Sequence, residues 1–167
     1  TRCWWCRRSW NDDNNKRYDK GEKLVATSDP TGKDGKVVVP KLRYGHYVAV
    51  EKIAPVGYNL DPDHIPFFVE FEGQVVEVTA RDTVITGGVN ITKTDREDTT
   101  KRLSGAVYNI YQDENNNKVY DEGEKLVVTS GKTDKNGLVS VSNLRYGNYV
   151  AVEVEAPEFY ELDPEHI

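Results

Sequence analysis

Three kinds of ionisable side chain sit on strand faces that are otherwise apolar, and together they hold the parts of an amide-forming reaction. In VNITK (89–93), Val89, Ile91 and Lys93 share one face. Glu153 shares a face with Tyr149 and Ala151, and Glu51 shares one with Tyr47 and Ala49. Asp82 shares a face with Val76, Val78 and Ala80. Burial disfavours the charged form, raising the pKa of a carboxyl and lowering that of a lysine. A neutral amine is a nucleophile. A protonated glutamic acid donates to a carbonyl oxygen and then relays protons. An amine beside an aspartic acid can lose water and become an amide. The same residues also read as partly exposed salt bridges near strand ends.

A second chemistry lies in DENNNKVYDEGE (113–124). Asp113, Asn115, Asn117, the Val119 carbonyl, Asp121 and Glu124 occupy positions 1, 3, 5, 7, 9 and 12 of a twelve-residue calcium loop. The pattern occurs earlier as Asn11, Asp13, Asn15, the Arg17 carbonyl, Asp19 and Glu22, with Asn11 in place of the leading carboxylate. Position six is Lys118 or Lys16 rather than the usual glycine, and the flanks read as strands, not helices. The alternative is an Asx-rich hairpin loop closed by side-chain to backbone hydrogen bonds. No nucleophile or general base is arranged beside the loop, so an ion there would stiffen rather than catalyse.

The elements that must position these groups repeat. Residues 11–65 align with 113–167 without a gap at an offset of 102. A repeat of this length is a domain, which makes the chain a slice of a tandem array that spans distance. Short β-rich runs broken by Gly, Asn, Asp and Pro dominate, without helical periodicity. Strands are expected at 67–71, 74–82, 89–93, 106–111, 124–130, 138–144 and 149–155. Turns are expected at Asn136-Gly137 and around Gly147, and a linker at Thr83–Gly88. About seven strands per unit predict tandem small antiparallel β-sandwiches. The expected domains are 1–86, lacking its first strand, and 87–167, lacking its last strands. The gapless alignment places Trp4, Cys6 and Arg8 on the face of Ala106, Tyr108 and Ile110. An arginine facing a core is costly unless paired, so either residues 1–9 leave the copy's register or this end is rearranged.

The 167 residues carry a net charge of −6 spread along the chain. No basic stripe exists to follow a phosphate backbone, which argues against nucleic acid as a partner. No stretch reaches membrane-spanning length, no signal peptide is present and methionine is absent, so the chain is expected to be an excised segment. Cys3 and Cys6 form a lone CxxC whose copy positions are Gly105 and Tyr108, a weak signal for metal or redox chemistry. His64 and His166 are copies of each other and read as structural. Tyr44, Tyr47, Tyr146 and Tyr149 read as strand-end packing around the glycine turns. No Ser-His-Asp set, phosphate loop or Cys-His pair is evident, and the chain is not expected to be an enzyme.

The motifs VNITKTD (89–95), LSGAVYNIYQD (103–113), TDKNGLVSVSNLRYGNYVAVEVEAPEFYEL (133–162) and TARDTVI (79–85) resemble the Cna B-type, or SpaA-like, domains of Gram-positive adhesins and pilins. The loops are also similar to calcium-binding segments of B repeats in serine-aspartate-rich surface proteins. The resemblance implies a prealbumin-like β-sandwich. It also implies an autocatalytic isopeptide between a first-strand Lys and a last-strand Asn or Asp, assisted by a Glu before Ala-Pro. These positions are Lys93, Asp82 as acceptor, and the catalytic Glu51 and Glu153. Lys93 and Asp82 should belong to different sandwiches, so neither unit is expected to close its own bond here, and exposed edges invite strand exchange between fragments. The expected function is a structural stalk repeat of an extracellular, cell wall-attached protein, crosslinked in the full-length parent and braced by calcium, with neighbouring repeats as its partners. A ligand-binding module for host matrix or carbohydrate is the alternative.

Overall fold

The computed structural model describes the backbone of residues 3–8 and all of residues 16–19 and 21–167. It divides into two units, Thr1–Ile85 and Thr86–Ile167. Unit 1 holds β1 (Cys3–Arg8), β2 (Lys23–Thr27), β3 (Gly45–Ile53) and β4 (His64–Val69) in one antiparallel sheet of order β2-β1-β3-β4. Unit 2 holds β5 (Thr86–Thr92), β6 (Val107–Gln112), β7 (Leu126–Thr129), β8 (Leu138–Arg145) and β9 (Tyr149–Glu155). Its antiparallel sheets are β5-β8 and β7-β6-β9. Among the described residues no helix is long and apolar enough to cross a membrane.

The two-residue period explains the packing of unit 2. Ile91, Val139, Val141 and Leu144 from one sheet meet Tyr108, Ile110 and Ala151 from the other, with Ala106 completing the core. The step from Val141 to Leu144 breaks the period. Asn143 at φ 60° is a bulge residue, skipped where Gly87 faces Leu144 and Gly88 faces Ser142, and this returns Leu144 to the inner face. Gly88 belongs there because a Cβ on it would lie 2.5 Å from the Val141 carbonyl oxygen. The Gly87-Gly88 pair expected in a linker is therefore part of β5.

β1 resolves the misplaced arginine. Trp4 faces Glu51 as Tyr108 faces Glu153, and Cys6 faces Ala49 as Ile110 faces Ala151. The strand is slipped by two residues from the gapless alignment, so Arg8 takes the register place of Gln112 at the strand end, not that of Ile110. The repeat therefore carries two additional residues between Arg8 and the first loop.

Among the described residues, four and five strands replace the expected seven per unit. Residues 74–82 form no strand, and Val75 and Val78 are exposed. Their alternating pattern finds no ladder partner among the described residues, and alternation without a neighbour is not a sheet. Residues 36–43, the copy of β8, likewise form no ladder among the described residues. Lys41 nevertheless keeps φ 61°, matching Asn143. At the other end, Ala151 and Ile167 exchange both backbone hydrogen bonds, at 2.7 and 3.0 Å, reproducing the Ala49–Ile65 pair of β3 and β4.

Candidate functional site

Lys93 follows β5 directly and is clamped on both sides of its backbone. Its N–H donates to the Gly137 carbonyl (2.8 Å), and its carbonyl accepts from the Leu103 N–H (3.1 Å). Gly137 sits at φ 69° in the Asn-Gly turn between β7 and β8, and a Cβ on it would lie 2.5 Å from the Lys93 carbonyl oxygen. Glu153 comes from β9, opposite Tyr108 of β6, with its side chain fully buried. Opposed faces of the two sheets thus bring the amine and the carboxylate together.

Lys93 Nζ donates to Glu153 Oε2 at 3.2 Å and lies 3.1 Å from Oε1, an ion-pair contact without hydrogen-bond geometry. Nζ also donates to Asp163 Oδ2 at 3.3 Å. The Asp163 backbone N–H donates to Glu153 Oε2 at 2.7 Å. Asp163 Oδ1 accepts from Arg96 (3.2 Å) and from the Glu165 N–H (3.1 Å). The lysine side chain is 11% exposed and that of Asp163 33%, so the cluster runs from a dry interior to the surface. Burial pushes the Asp163 carboxyl up, but the Glu165 N–H, Lys93 and Arg96 outweigh it and hold it below the ordinary value. Tyr108 is pushed up to about 12, first by burial and then by the charges of Glu153 and Asp163.

As it stands the trio is an ion cluster. A proton passing from Nζ to Glu153 would leave a neutral amine and a neutral acid, the pair that amide formation requires. Asp163 and Arg96 were missed in the sequence because they lie outside the strands, where no face can be assigned. The available signal was repetition, since Asp163 and Asp61 occupy the same place in the repeated Leu-Asp-Pro.

Unit 1 carries the same scaffold. Glu51 is buried and its Oε2 accepts the Asp61 N–H at 2.7 Å, while the Asp63 N–H donates to Asp61 Oδ1 at 2.9 Å. Asp82 is half-buried, with Oδ1 shielded from solvent. The residues after it dock on the turn that follows β3: the Asn59 N–H donates to the Thr83 carbonyl, the Ile85 N–H donates to the Gly57 carbonyl, both at 2.9 Å, and Tyr58 bridges Val84. Asp82 is thus in unit 1 and Lys93 in unit 2.

A surface cluster ties the exit of β5 to the turn after β9. The Tyr160 hydroxyl donates to Asp95 at 2.7 Å, and Lys101 lies 3.6 Å from the same carboxylate. Asp95 is held at about 2, chiefly by Tyr160 and then by the Glu97 and Asp98 N–H groups. A lowered folded pKa contributes stability above the unfolded value, about 3.9 for Asp, and loses it as pH falls through the folded value. Asp95→Asn should therefore flatten the acid-induced fall in the melting temperature of unit 2 between about pH 4 and about pH 2. An unchanged acid slope in the variant would contradict this assignment.

The second loop is compact. Asp113 is buried, and its carboxylate accepts from the Asn117 (3.2 Å) and Lys118 (2.9 Å) N–H groups. Asn115 and Asn117 accept from the N–H groups of Asn117 and Val119. Their amide Nδ2 groups both donate to Asp121 Oδ2, at 2.8 and 2.7 Å. Lys118 sits at φ 66°, the conformation that glycine usually supplies at position six. Glu124 holds the Asp121 N–H through Oε2, and its Oε1 is buried without a hydrogen-bond partner. A cation would take the place of the two amide groups at Asp121 and give Glu124 Oε1 a partner, so the donor set fits calcium in spacing and backbone. Among the described residues, no three His, Cys, Asp or Glu side chains gather as a metal cluster, so Asn and carbonyl oxygens would carry much of the coordination. In the first loop, Asn11, Asp13 and Asn15 lie outside the described residues. Lys16 (φ 62°) and the Asp19–Glu22 pair repeat their copies.

Tyr47, Tyr149, His64 and His166 make hydrogen bonds within the fold. The Tyr47 and Tyr149 hydroxyls each donate to the carbonyl four residues earlier, Arg43 or Arg145, at 2.7 Å. These bonds close the glycine turns. Tyr44 and Tyr146 are exposed. His64 and His166 each accept a backbone N–H.

The chain superposes on a structure described as the Bacillus anthracis TIE protein with a TM-score of 0.73 and 28% sequence identity, covering 99% of this chain and 27% of that one. It is also similar to a Streptococcal ancillary pilin (TM-score 0.38, 23% identity, 99% of this chain and 52% of that one). A shaft pilin, spaA from Lactobacillus rhamnosus GG, matches with TM-score 0.38 and 15% identity over 99% of this chain and 78% of that one. No curated protein matches. The sequence matches the SpaA family, described as a prealbumin-like fold domain, over residues 12–84 and again over 87–167, so the chain is two tandem members of that family.

Proposed function

We propose that the chain is a load-bearing segment of a Gram-positive surface adhesin or pilus-like stalk, outside the cell and associated with its wall. Its role is structural and non-enzymatic, and its partners are neighbouring repeats. The observation that carries this reading is the Lys93–Glu153 pair, buried between the two sheets of unit 2 and fed by the Asp163 N–H. In a unit that also holds the residues equivalent to 66–85, the acceptor equivalent to Asp82 would approach this pair. Two features support that placement. Residues 83–85 dock beside the turn after β3, and the Glu51–Asp61 contact has the same 2.7 Å geometry as Glu153–Asp163. Lys93 Nζ then attacks the acceptor carboxyl carbon, Glu153 relays protons from the amine to the departing oxygen, and one water leaves. An amide there would join the terminal strands in the path of a pulling force.

Calcium in the 113–124 loop, and in its copy, is the second part of the proposal. Calcium at a hundred times its dissociation constant would stabilise unit 2 by about 2.7 kcal/mol. Glu124→Gln would remove most of that gain. A melting temperature for unit 2 that does not respond to calcium would overturn it.

A further inference from the structure

The backbone N–H groups of the second loop divide in an informative way. Those of Asn117, Lys118, Val119 and Asp121 are taken by loop side chains. That of Tyr120 leaves the loop and donates to His166 Nδ1 at 2.9 Å, across 46 residues of sequence. The two rings meet edge-on at 6.3 Å. Unit 1 repeats the arrangement: the Tyr18 N–H donates to His64 Nδ1 at 2.9 Å, across 46 residues, with rings at 6.2 Å. Each imidazole accepts at Nδ1, which places its ring proton on Nε2.

The peptide so gripped is the one whose carbonyl belongs to Val119, or to Arg17 in unit 1, the seventh-position oxygen of the loop. In a trans planar peptide the C=O and N–H point in opposite directions. Fixing the Tyr120 N–H therefore fixes the Val119 carbonyl facing away from the imidazole, and the hydrogen bond also polarises it. We infer that His166 is a positioning residue that sets the seventh-position carbonyl of the second loop for a hard divalent cation. The inference rests on the calcium reading above, in which that oxygen is a ligand.

The test uses the full 15N-labelled chain, with His166→Phe and His166→Asn. Asparagine keeps an acceptor oxygen at about the place of Nδ1, whereas phenylalanine keeps only the ring. Without metal, the Tyr120 amide should lose hydrogen-exchange protection in the Phe variant and keep it in the Asn variant, with β6 and β9 amides as the folding control. Calcium affinity, read from Tyr120 and Asn117 shifts, should fall about tenfold or more in the Phe variant and recover in the Asn variant. If His166→Phe does not fold, His166→Leu read at the same amides makes the same test. Unchanged affinity in a folded Phe variant, with Tyr120 unprotected, overturns the inference and leaves calcium binding standing. A wild-type chain that gives no response to calcium overturns both.

Discussion

Lys93→Met should destabilise unit 2 by about 3–5 kcal/mol, because it strands the Glu153 carboxylate in a dry interior. The cost is that of an unpaired buried charge, so the double variant Lys93→Met/Glu153→Gln should recover most of it. Glutamine keeps an oxygen for the Asp163 N–H. All three tryptophans lie in the first repeat, so tryptophan fluorescence follows unit 1, while amide signals from β6 and β9 follow unit 2 during urea unfolding. Loss below about 1 kcal/mol, the range of an exposed pair, would show that the cluster is wet and energetically minor.

Gly137→Ala should cost about 3 kcal/mol. The left-handed conformation at φ 69° costs a non-glycine residue about 1–2 kcal/mol. The rest comes from the 2.5 Å approach to the Lys93 carbonyl, which must shift and loosen its bond from the Leu103 N–H. The copy, Gly35, separates the two terms: φ is 74° but nothing lies within 4 Å of its Cβ position. Gly35→Ala should therefore show the backbone cost alone. Equal losses at the two glycines, each measured on its own unit, would remove crowding at Lys93 from the explanation.

Alternation and repetition made much of the fold and half of the site legible. Lys93 and Glu153 were placed on inner faces because a period of two assigns faces without knowledge of partners. The same rule failed at 74–82, where the pattern is present but no strand among the described residues lies alongside to complete it. Gly87-Gly88 read as a linker because the approach of Val141 that demands glycine lies more than fifty residues away in sequence. The slip of β1 was hidden by an alignment that begins only at residue 11, past the two additional residues. Asp163 escaped because it acts from an irregular segment, through its backbone N–H as well as its carboxylate.

The most direct test of the crosslink is the intact mass of this chain extended after Ile167 by a second copy of residues 66–85, measured unfolded. The extension continues the Ala151–Ile167 pairing as β4 continues Ala49–Ile65, and brings an Asp82 equivalent into the unit that holds Lys93 and Glu153. The expected mass is one water below that of the sequence, restored to the full value by Lys93→Ala and by Glu153→Ala. A folded, extended chain at full mass would contradict the crosslink and leave the Lys93–Glu153–Asp163 cluster as an ion network.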